Sequence, residues 1–187
     1  MEVKQQKNNI LDWIKGILLT LVLFYLIRYF IFIPIIVEGD SMMPTLENDD
    51  RVIVNKIGPS LTSFDRFDVV VFKVDDTRYV KRIIGLPGDT ISYQDDELYI
   101  NGKKVEEPFI EEMKNNMHKY GKVTYDFTLE EITGDTKVPE GHYFVLGDNR
   151  LYSLDSRDKR VGFVKEEDLI GCVELIMYPF NRIQLVK

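Results

Sequence analysis

Asp68-Val-Val-Val-Phe-Lys73 and Arg78-Tyr-Val-Lys-Arg-Ile-Ile84 are two neighbouring runs of β-branched, aromatic and basic residues, bounded by turn residues. Such runs are typical of β-strands. Similar runs recur at residues 50–56, 90–93, 97–100, 142–146, 173–178 and 182–186. The chain has no heptad pattern and no internal repeat. We therefore predict a mainly β domain, built as a compact sandwich or barrel of short strands.

Turn residues separate these runs. Pro87-Gly88-Asp89 and Pro139-Glu-Gly141 mark two loops. Asn101-Gly102 stands between Glu97-Leu-Tyr-Ile100 and Lys-Lys-Val105, which predicts a two-residue type I′ hairpin turn.

An apolar segment precedes the sheet region. Only Arg28 is charged between Ile17 and Val37. These positions would span about 32 Å as a helix, close to one bilayer core. A charge at the centre is costly, so we predict a transmembrane helix from about Trp13 to Arg28 or Phe30. Pro34 favours an end before Ile33, and residues 31–37 are then expected as an extended strand near the membrane surface.

Two alternatives exist for this segment, a cleavable signal peptide and a buried core helix. The apolar stretch is too long for a signal peptide, and no small-x-small cleavage site follows it. Lys4, Lys7 and Lys15 precede the span, which places the N-terminus in the cytoplasm. The prediction is a single-pass protein of the cytoplasmic membrane: residues 1–12 inside, 13–30 as the signal-anchor helix, and 31–187 outside.

Composition excludes several classes of function. The 187 residues carry a net charge of −7, which disfavours general binding of nucleic acid. One cysteine and two histidines exclude an internal disulfide and multi-cysteine metal sites, so no metal is expected. Residues 103–137 hold eight acidic side chains without the spacing of a calcium loop. We interpret this variable acidic region as solvated surface.

The usual catalytic side chains are scarce. No Gly-x-Ser-x-Gly motif accompanies His118 or His142, and Cys172 is interpreted as a small buried hydrophobe. A serine can instead use a lysine as its base if burial lowers the pKa of the amine. Strand alternation places Lys81 on the face of Tyr79 and Ile83, while Arg82 faces the other way.

Four segments carry a resemblance to a known family. They are Gly39-Asp-Ser-Met-Met-Pro-Thr45, Asp65-Arg-Phe-Asp-Val-Val-Val-Phe72, Tyr79-Val-Lys-Arg-Ile-Ile-Gly-Leu-Pro-Gly-Asp89 and Gly147-Asp-Asn-Arg-Leu-Tyr-Ser-Leu-Asp-Ser-Arg157. In this order after an N-terminal anchor, they closely resemble bacterial type I signal peptidases of the single-span, Gram-positive kind.

The resemblance implies roles for individual residues. Ser41 matches the nucleophile, Lys81 the general base, and Ser153 a serine that hydrogen-bonds and orients the lysine. The Ser41 backbone N–H would be one oxyanion donor. Some relatives place a serine hydroxyl at the position of Gly39 as the second donor; glycine lacks it, which leaves a backbone N–H near Gly39 as the alternative donor. A framework of ion pairs and turns is expected from Arg82, Asp148, Arg150, Asp155 and Arg157.

The resemblance also implies a substrate. The family cuts after small residues, typically alanine, one and three positions before the scissile bond. The peptide would bind as an added strand. The residues that match pocket-lining positions, or else pack in the core, are Ile35, Val37, Met42, Leu46, Tyr79 and Val80.

The expected function is therefore a membrane-bound serine endopeptidase that removes signal peptides from exported preproteins, at the outer face of the cytoplasmic membrane. Its partners would be signal peptides and membrane lipid, and it would need no cofactor. One alternative is a Ser-Lys autoprotease of the LexA type, which would need a DNA-binding helix pair where the membrane span stands. The other is an inactive, membrane-tethered β module that binds peptides.

Overall fold

The β-rich runs form two antiparallel sheets in the computed structural model, which describes residues 2–56, 63–117 and 121–186. The strands are β1 (Phe32–Ile36), β2 (Arg51–Asn55), β3 (Val69–Val74), β4 (Thr77–Gly85), β5 (Ile91–Gln94), β6 (Glu97–Ile100), β7 (Lys103–Val105), β8 (Phe127–Thr128), β9 (His142–Leu146), β10 (Val164–Lys165), β11 (Leu169–Tyr178) and β12 (Gln184–Leu185). The described helices are α1 (Glu2–Ile31), α2 (Glu111–Met117) and α3 (Leu129–Thr133), with 3-10 turns at Pro108–Ile110, Glu166–Asp168 and Phe180–Arg182.

The larger sheet has the order β1-β2-β11-β3-β4-β9-β10, and β12 pairs with β11. The smaller sheet has the order β7-β6-β5-β8. Neighbouring strands are antiparallel throughout. The predicted mainly β class is confirmed.

The two sheets share a hydrophobic core. One cluster joins Ile84 and Phe144 of the larger sheet to Ile91 and Leu98 of the smaller one. A second cluster contains Ile83, the next side chain along β4 on the opposite face. Because both faces of its second half are covered, β4 is buried continuously from Lys81 to Gly85. Any charged side chain in this half of the strand is thereby removed from water.

The hairpin predicted at Asn101-Gly102 is confirmed. Glu97–Ile100 pairs with Lys103–Val105 across these two residues. Asn101 has φ of 52° and Gly102 has φ of 75°, the left-handed values that a type I′ turn requires at both positions.

The N-terminal helix begins earlier than predicted. α1 runs from Glu2 to Ile31, so the helix itself starts before Trp13, the expected first residue of the membrane segment. The polar residues before Trp13 include good helix formers such as Lys and Gln, and an existing helix extends through them at little cost. The helix ends before Pro34 and is followed directly by β1, as expected. Within the part of the chain described here, no helix combines the length and the hydropathy that crossing a membrane requires.

The acidic region contains more structure than its pattern indicated. It holds β7, β8, α2 and α3. A capping box between Thr128 and Glu131 starts α3, and Gly134 in the left-handed conformation ends it. The Thr-Leu-Glu-Glu sequence was a readable signal for this helix. The solvated-surface interpretation is wrong for Glu107, whose side chain is fully buried. His118 lies outside the described residues.

Candidate active site

Ser41 lies in a tight turn that connects β1 to β2. Met43 N–H donates to the Asp40 carbonyl, and Leu46 N–H donates to the Met42 carbonyl. Met42 and Leu46 are almost completely buried and fix the turn to the core. This arrangement leaves Ser41 at the surface of the turn, partly exposed.

Gly39 precedes this turn with φ of 84°, a backbone conformation that side chains disfavour. Its N–H donates to Asn48 Oδ1 at 2.8 Å. The residue therefore supplies neither a hydroxyl nor an unengaged backbone N–H beside Ser41.

Lys81 reaches Ser41 from β4. Its Nζ lies 2.6 Å from Ser41 Oγ and 2.9 Å from the Val80 carbonyl oxygen. Only 3% of Lys81 is exposed, although the residue carries an ionisable amine. Two residues separated by forty positions in the sequence thus meet at a distance that permits direct proton transfer.

Burial lowers the pKa of Lys81 to about 8. The charged ammonium loses hydration in this position, and the negative charges of Asp155 and Asp148 offset only part of that loss. A considerable fraction of the amine is consequently neutral near pH 8 and able to accept a proton.

Ser153 lies near the Ser41–Lys81 pair but does not make the expected hydrogen bond to Lys81. Its Oγ is buried and has no hydrogen-bond partner among the described residues. A side chain at Gly147 would collide with this hydroxyl and with the Ser41 carbonyl, since an added Cβ would overlap both oxygens. Gly147 therefore allows the loop that carries Ser153 to pack closely against the turn that carries Ser41.

A buried ion pair lies behind the dyad. Arg82 Nε and Nη2 donate to the two carboxylate oxygens of Asp148 at 2.9 and 2.7 Å, and neither side chain is exposed. Thr45 Oγ1 donates to the same carboxylate. Asp148 thereby joins β4, the Ser41 turn and its own loop. Thr45 takes part in this contact, and the sequence did not indicate such a role for it.

The remaining framework residues also make ion pairs. Arg157 Nε donates to Asp155 Oδ1 at 2.8 Å, and Asp155 Oδ2 accepts from the Gly147 N–H at 3.1 Å. Arg150 pairs with Glu107 at 2.6 Å. Asp155 and Arg157 lie in the same irregular segment of bends and turns between β9 and β10.

An open groove of about 1380 Å³ passes over the dyad. Five of the six expected pocket residues line it: Ile35, Val37, Met42, Tyr79 and Val80. The structure places Leu46 in the core instead, fully buried beside Val37 and Met42. Its apolar side chain supports the groove wall from below.

Other reactive side chains lie apart from this groove. Burial raises the pKa of the Cys172 thiol, which donates to Asp68 Oδ2 at 3.4 Å. The thiolate that a nucleophilic cysteine needs is therefore disfavoured. His142 begins β9 and contacts the Glu140 carbonyl. Across the described ranges, no group of three or more His, Cys, Asp or Glu side chains is arranged to hold a metal ion.

Comparison with known proteins identifies relatives over nearly the full length. Residues 10–178 match the family described as "Signal peptidase, peptidase S26". The chain is 46% identical over 179 residues to signal peptidase I S of Bacillus subtilis strain 168, covering 96% of this chain and 95% of the relative. It is 50% identical over 157 residues to signal peptidase I of Bacillus caldolyticus, covering 83% and 85%.

A solved structure is also similar. The crystal structure of a signal peptidase I from Enterococcus faecalis V583 superposes with a TM-score of 0.55 at 48% sequence identity. The match covers 58% of this chain and 95% of the other.

Proposed function

The chain belongs to the peptidase S26 family of signal peptidases, and we propose that Ser41 is its nucleophile and Lys81 its general base. It is a serine peptidase that removes signal peptides, as the four sequence motifs predicted. The observation that carries the assignment of the dyad is the 2.6 Å distance between Lys81 Nζ and Ser41 Oγ, in a position where the lysine is almost fully buried.

The reaction follows from this geometry in two halves. Neutral Lys81 Nζ accepts the Ser41 proton while Oγ attacks the scissile carbonyl carbon, which forms a tetrahedral oxyanion. The Lys81 ammonium then protonates the leaving nitrogen, the C–N bond breaks, and the mature protein departs with a free amine. In the second half, Lys81 accepts a proton from water, the hydroxide attacks the ester, and the proton returns to Ser41 Oγ as the signal peptide leaves.

The oxyanion needs preorganised donors. The Ser41 backbone N–H is the proposed first donor, because it lies on the residue that bonds to the carbonyl carbon. Gly39 supplies no hydroxyl, and its own N–H is engaged by Asn48.

The substrate is proposed to bind as an extended strand in the groove. β1 is the edge strand of the larger sheet, and among the described strands β4 pairs with β9 only from Arg82 onward. On the side away from β3, residues 77–79 of β4 are not paired with another described strand, and neither is the outer edge of β1, so we propose that a peptide binds along these two edges. Ile35, Val37, Tyr79 and Val80 would form the shallow pockets that favour small side chains.

Attachment to the membrane is proposed through the N-terminal helix, since signal peptidase I is a membrane-associated family. Large apolar side chains of α1, such as Leu18, Leu19 and Phe24, are more than half exposed and have no protein cover. We place residues 13–30 in the bilayer as a single span, the N-terminus in the cytoplasm, and residues 31–187 outside. α1 leads directly into β1, which would hold the groove at the membrane surface where signal peptides emerge.

Processing of a preprotein by purified full-length variants tests the dyad. We expect Ser41→Ala and Lys81→Ala each to abolish cleavage, because each removes one half of the proton-transfer pair. Ser92→Ala on β5 and Lys104→Ala on β7 are the matched controls, and both should cleave at the wild-type rate. Cleavage by either dyad variant would refute the assignment, and an inactive wild-type protein would favour the peptide-binding module.

A further inference from the structure

Glu107, in the acidic region 103–137, has a buried carboxylate. It lies against the loop that follows β9, residues 147–157, which we call the catalytic loop. Glu107 Oε1 accepts hydrogen bonds from Arg150 Nη2 at 2.6 Å and from the Tyr93 hydroxyl at 2.7 Å. Lys114 Nζ lies 3.3 Å from Oε2 and is itself mostly covered. A carboxylate without exposed surface is tolerated only when it is paired and hydrogen-bonded in this way.

The Arg150 guanidinium is completely enclosed by its partners. Besides Glu107, it donates from Nη1 to the Tyr93 hydroxyl at 2.8 Å and to Thr124 Oγ1 at 3.2 Å. Its Nε donates to the Gly147 carbonyl at 3.0 Å. Three of these four acceptors come from residues 93–124, and only the fourth belongs to the catalytic loop.

Gly147 is the point at which this network meets the active site. Its carbonyl is held by Arg150 and its N–H by Asp155, so both backbone polar groups are fixed. It contacts the Ser41 carbonyl and Ser153 so closely that a Cβ has no room. Two residues further on, Asn149 N–H donates to the Ser41 carbonyl at 3.1 Å.

We propose that Glu107 is a positioning residue of the protease: by orienting Arg150, it holds residues 147–149 against Ser41 and so maintains the geometry of the Ser41–Lys81 dyad. The inference rests on the proposed function and assigns a role to the otherwise variable region 103–137. Glu107 touches neither the dyad nor the groove. It acts through Arg150 and Gly147.

The test is steady-state cleavage of a signal-peptide-derived fluorogenic peptide by the full-length protein, well below its unfolding temperature. Glu107→Gln keeps the size of the side chain but loses the charge that orients Arg150. We expect kcat to fall about tenfold to a hundredfold, because a shift of about 1 Å at the reacting atoms has effects of that order. KM should stay within about twofold, since the groove is untouched. The control is Glu106→Gln, the exposed neighbouring carboxylate, which should keep the wild-type kcat.

A double variant distinguishes two roles of Glu107: positioning of the catalytic loop through Arg150, and simple neutralisation of the buried Arg150 charge. Glu107→Gln alone leaves the buried guanidinium unpaired, and this lowers the melting temperature. Glu107→Gln combined with Arg150→Met removes the two fully buried charges, leaves only the partly exposed Lys114 ammonium, and should recover part of that stability. Positioning requires kcat to stay low in the double variant, because nothing then holds the Gly147 carbonyl. Recovery of kcat together with stability would overturn the proposal.

Tyr93→Phe covers the case in which Glu107→Gln does not fold. It deletes only the hydroxyl shared by Glu107 and Arg150, and we expect kcat to fall severalfold with unchanged KM. Wild-type kcat in every folded variant of the network refutes the inference. Wild-type protein that cleaves nothing, or Ser41→Ala that still cleaves, refutes the proposed function instead.

Discussion

The chemistry of the site depends on where one amine is placed. Lys81 is covered by the core on β4 and lies beside a serine hydroxyl, whereas Arg82, the next residue, donates from Nε and Nη2 to the carboxylate of Asp148. The buried Arg82 guanidinium is compensated by the Asp148 carboxylate, while the loss of hydration lowers the pKa of Lys81 and favours its neutral form. Two adjacent basic residues therefore have different functions because their surroundings differ.

The pH dependence of the rate should follow the Lys81 amine. Below its pKa of about 8 the amine is protonated and cannot accept the Ser41 proton, so kcat/KM should fall about tenfold for each pH unit. Above that value the rate should level off. Peptide cleavage from pH 6 to pH 10, with circular dichroism as a check on folding, measures this profile. A flat profile with chemistry limiting would contradict the lysine base.

The strand β4 carries the proposed general base and a buried, ion-paired arginine in consecutive residues. Ile83 and Ile84 enter different core clusters, and the preceding pair, Lys81 and Arg82, follows the same alternation. The alternation was readable in the sequence, and so was the separation of the two basic side chains. The partner of Arg82 was not, because Asp148 lies 66 positions away.

Arg82→Lys should show that this position needs a guanidinium rather than a charge. Lysine cannot reproduce the two parallel bonds to Asp148 or the 2.8 Å bond to the Phe67 carbonyl. We expect a loss of roughly 2 to 4 kcal/mol in the free energy of unfolding. Urea unfolding measures it, with Arg78→Lys at the exposed start of the same strand as control. Equal stability of both variants would contradict this view of the ion pair.

The ends of the helices show which sequence signals predict a helix boundary. α3 begins with a capping box and ends with a left-handed glycine, both visible as residue types at fixed spacing. The extension of α1 to Glu2 has no comparable boundary signal, because polar helix formers permit a helix without requiring one. A helix boundary without a capping signal, such as the start of α1, cannot be located from neighbouring residue types alone.

At the scale of the whole molecule, a helix with exposed apolar side chains precedes a mainly β domain. The helix presents uncovered leucines and aromatic residues, and the groove begins at the strand that follows it. If the proposed anchor holds, this continuity places the Ser41 turn close to the membrane surface.

Binding to lipid vesicles tests the anchor. The full-length protein should remain with vesicles in about 1 M salt, since screening weakens surface charge interactions but not apolar burial. Leu18→Glu combined with Val22→Glu should release it, because each buried charge costs roughly 2.5 to 3.5 kcal/mol. Leu18→Ile combined with Val22→Ile is the control that retains hydrophobicity. Flotation distinguishes the outcomes, and wild-type protein in the soluble fraction would refute the anchor.

The sequence alone established the mainly β class, most strand positions, the Asn101-Gly102 hairpin and the family. These conclusions depend on local alternation, turn chemistry and four ordered motifs, all of which are properties of neighbouring residues. The same motifs identified Ser41 and Lys81 as candidates, but the sequence could not predict the distance between Lys81 Nζ and Ser41 Oγ.

Only the tertiary structure decided which distant residues meet. It placed Lys81 Nζ 2.6 Å from Ser41 Oγ, left Ser153 without the expected hydrogen bond, moved Leu46 into the core and buried Glu107 against Arg150. Each outcome depends on contacts between segments far apart in the chain, where sheet order and close packing set the geometry. Burial is a property of that packing, and burial is what lowers the pKa of Lys81 to about 8, as its proposed role as a base requires.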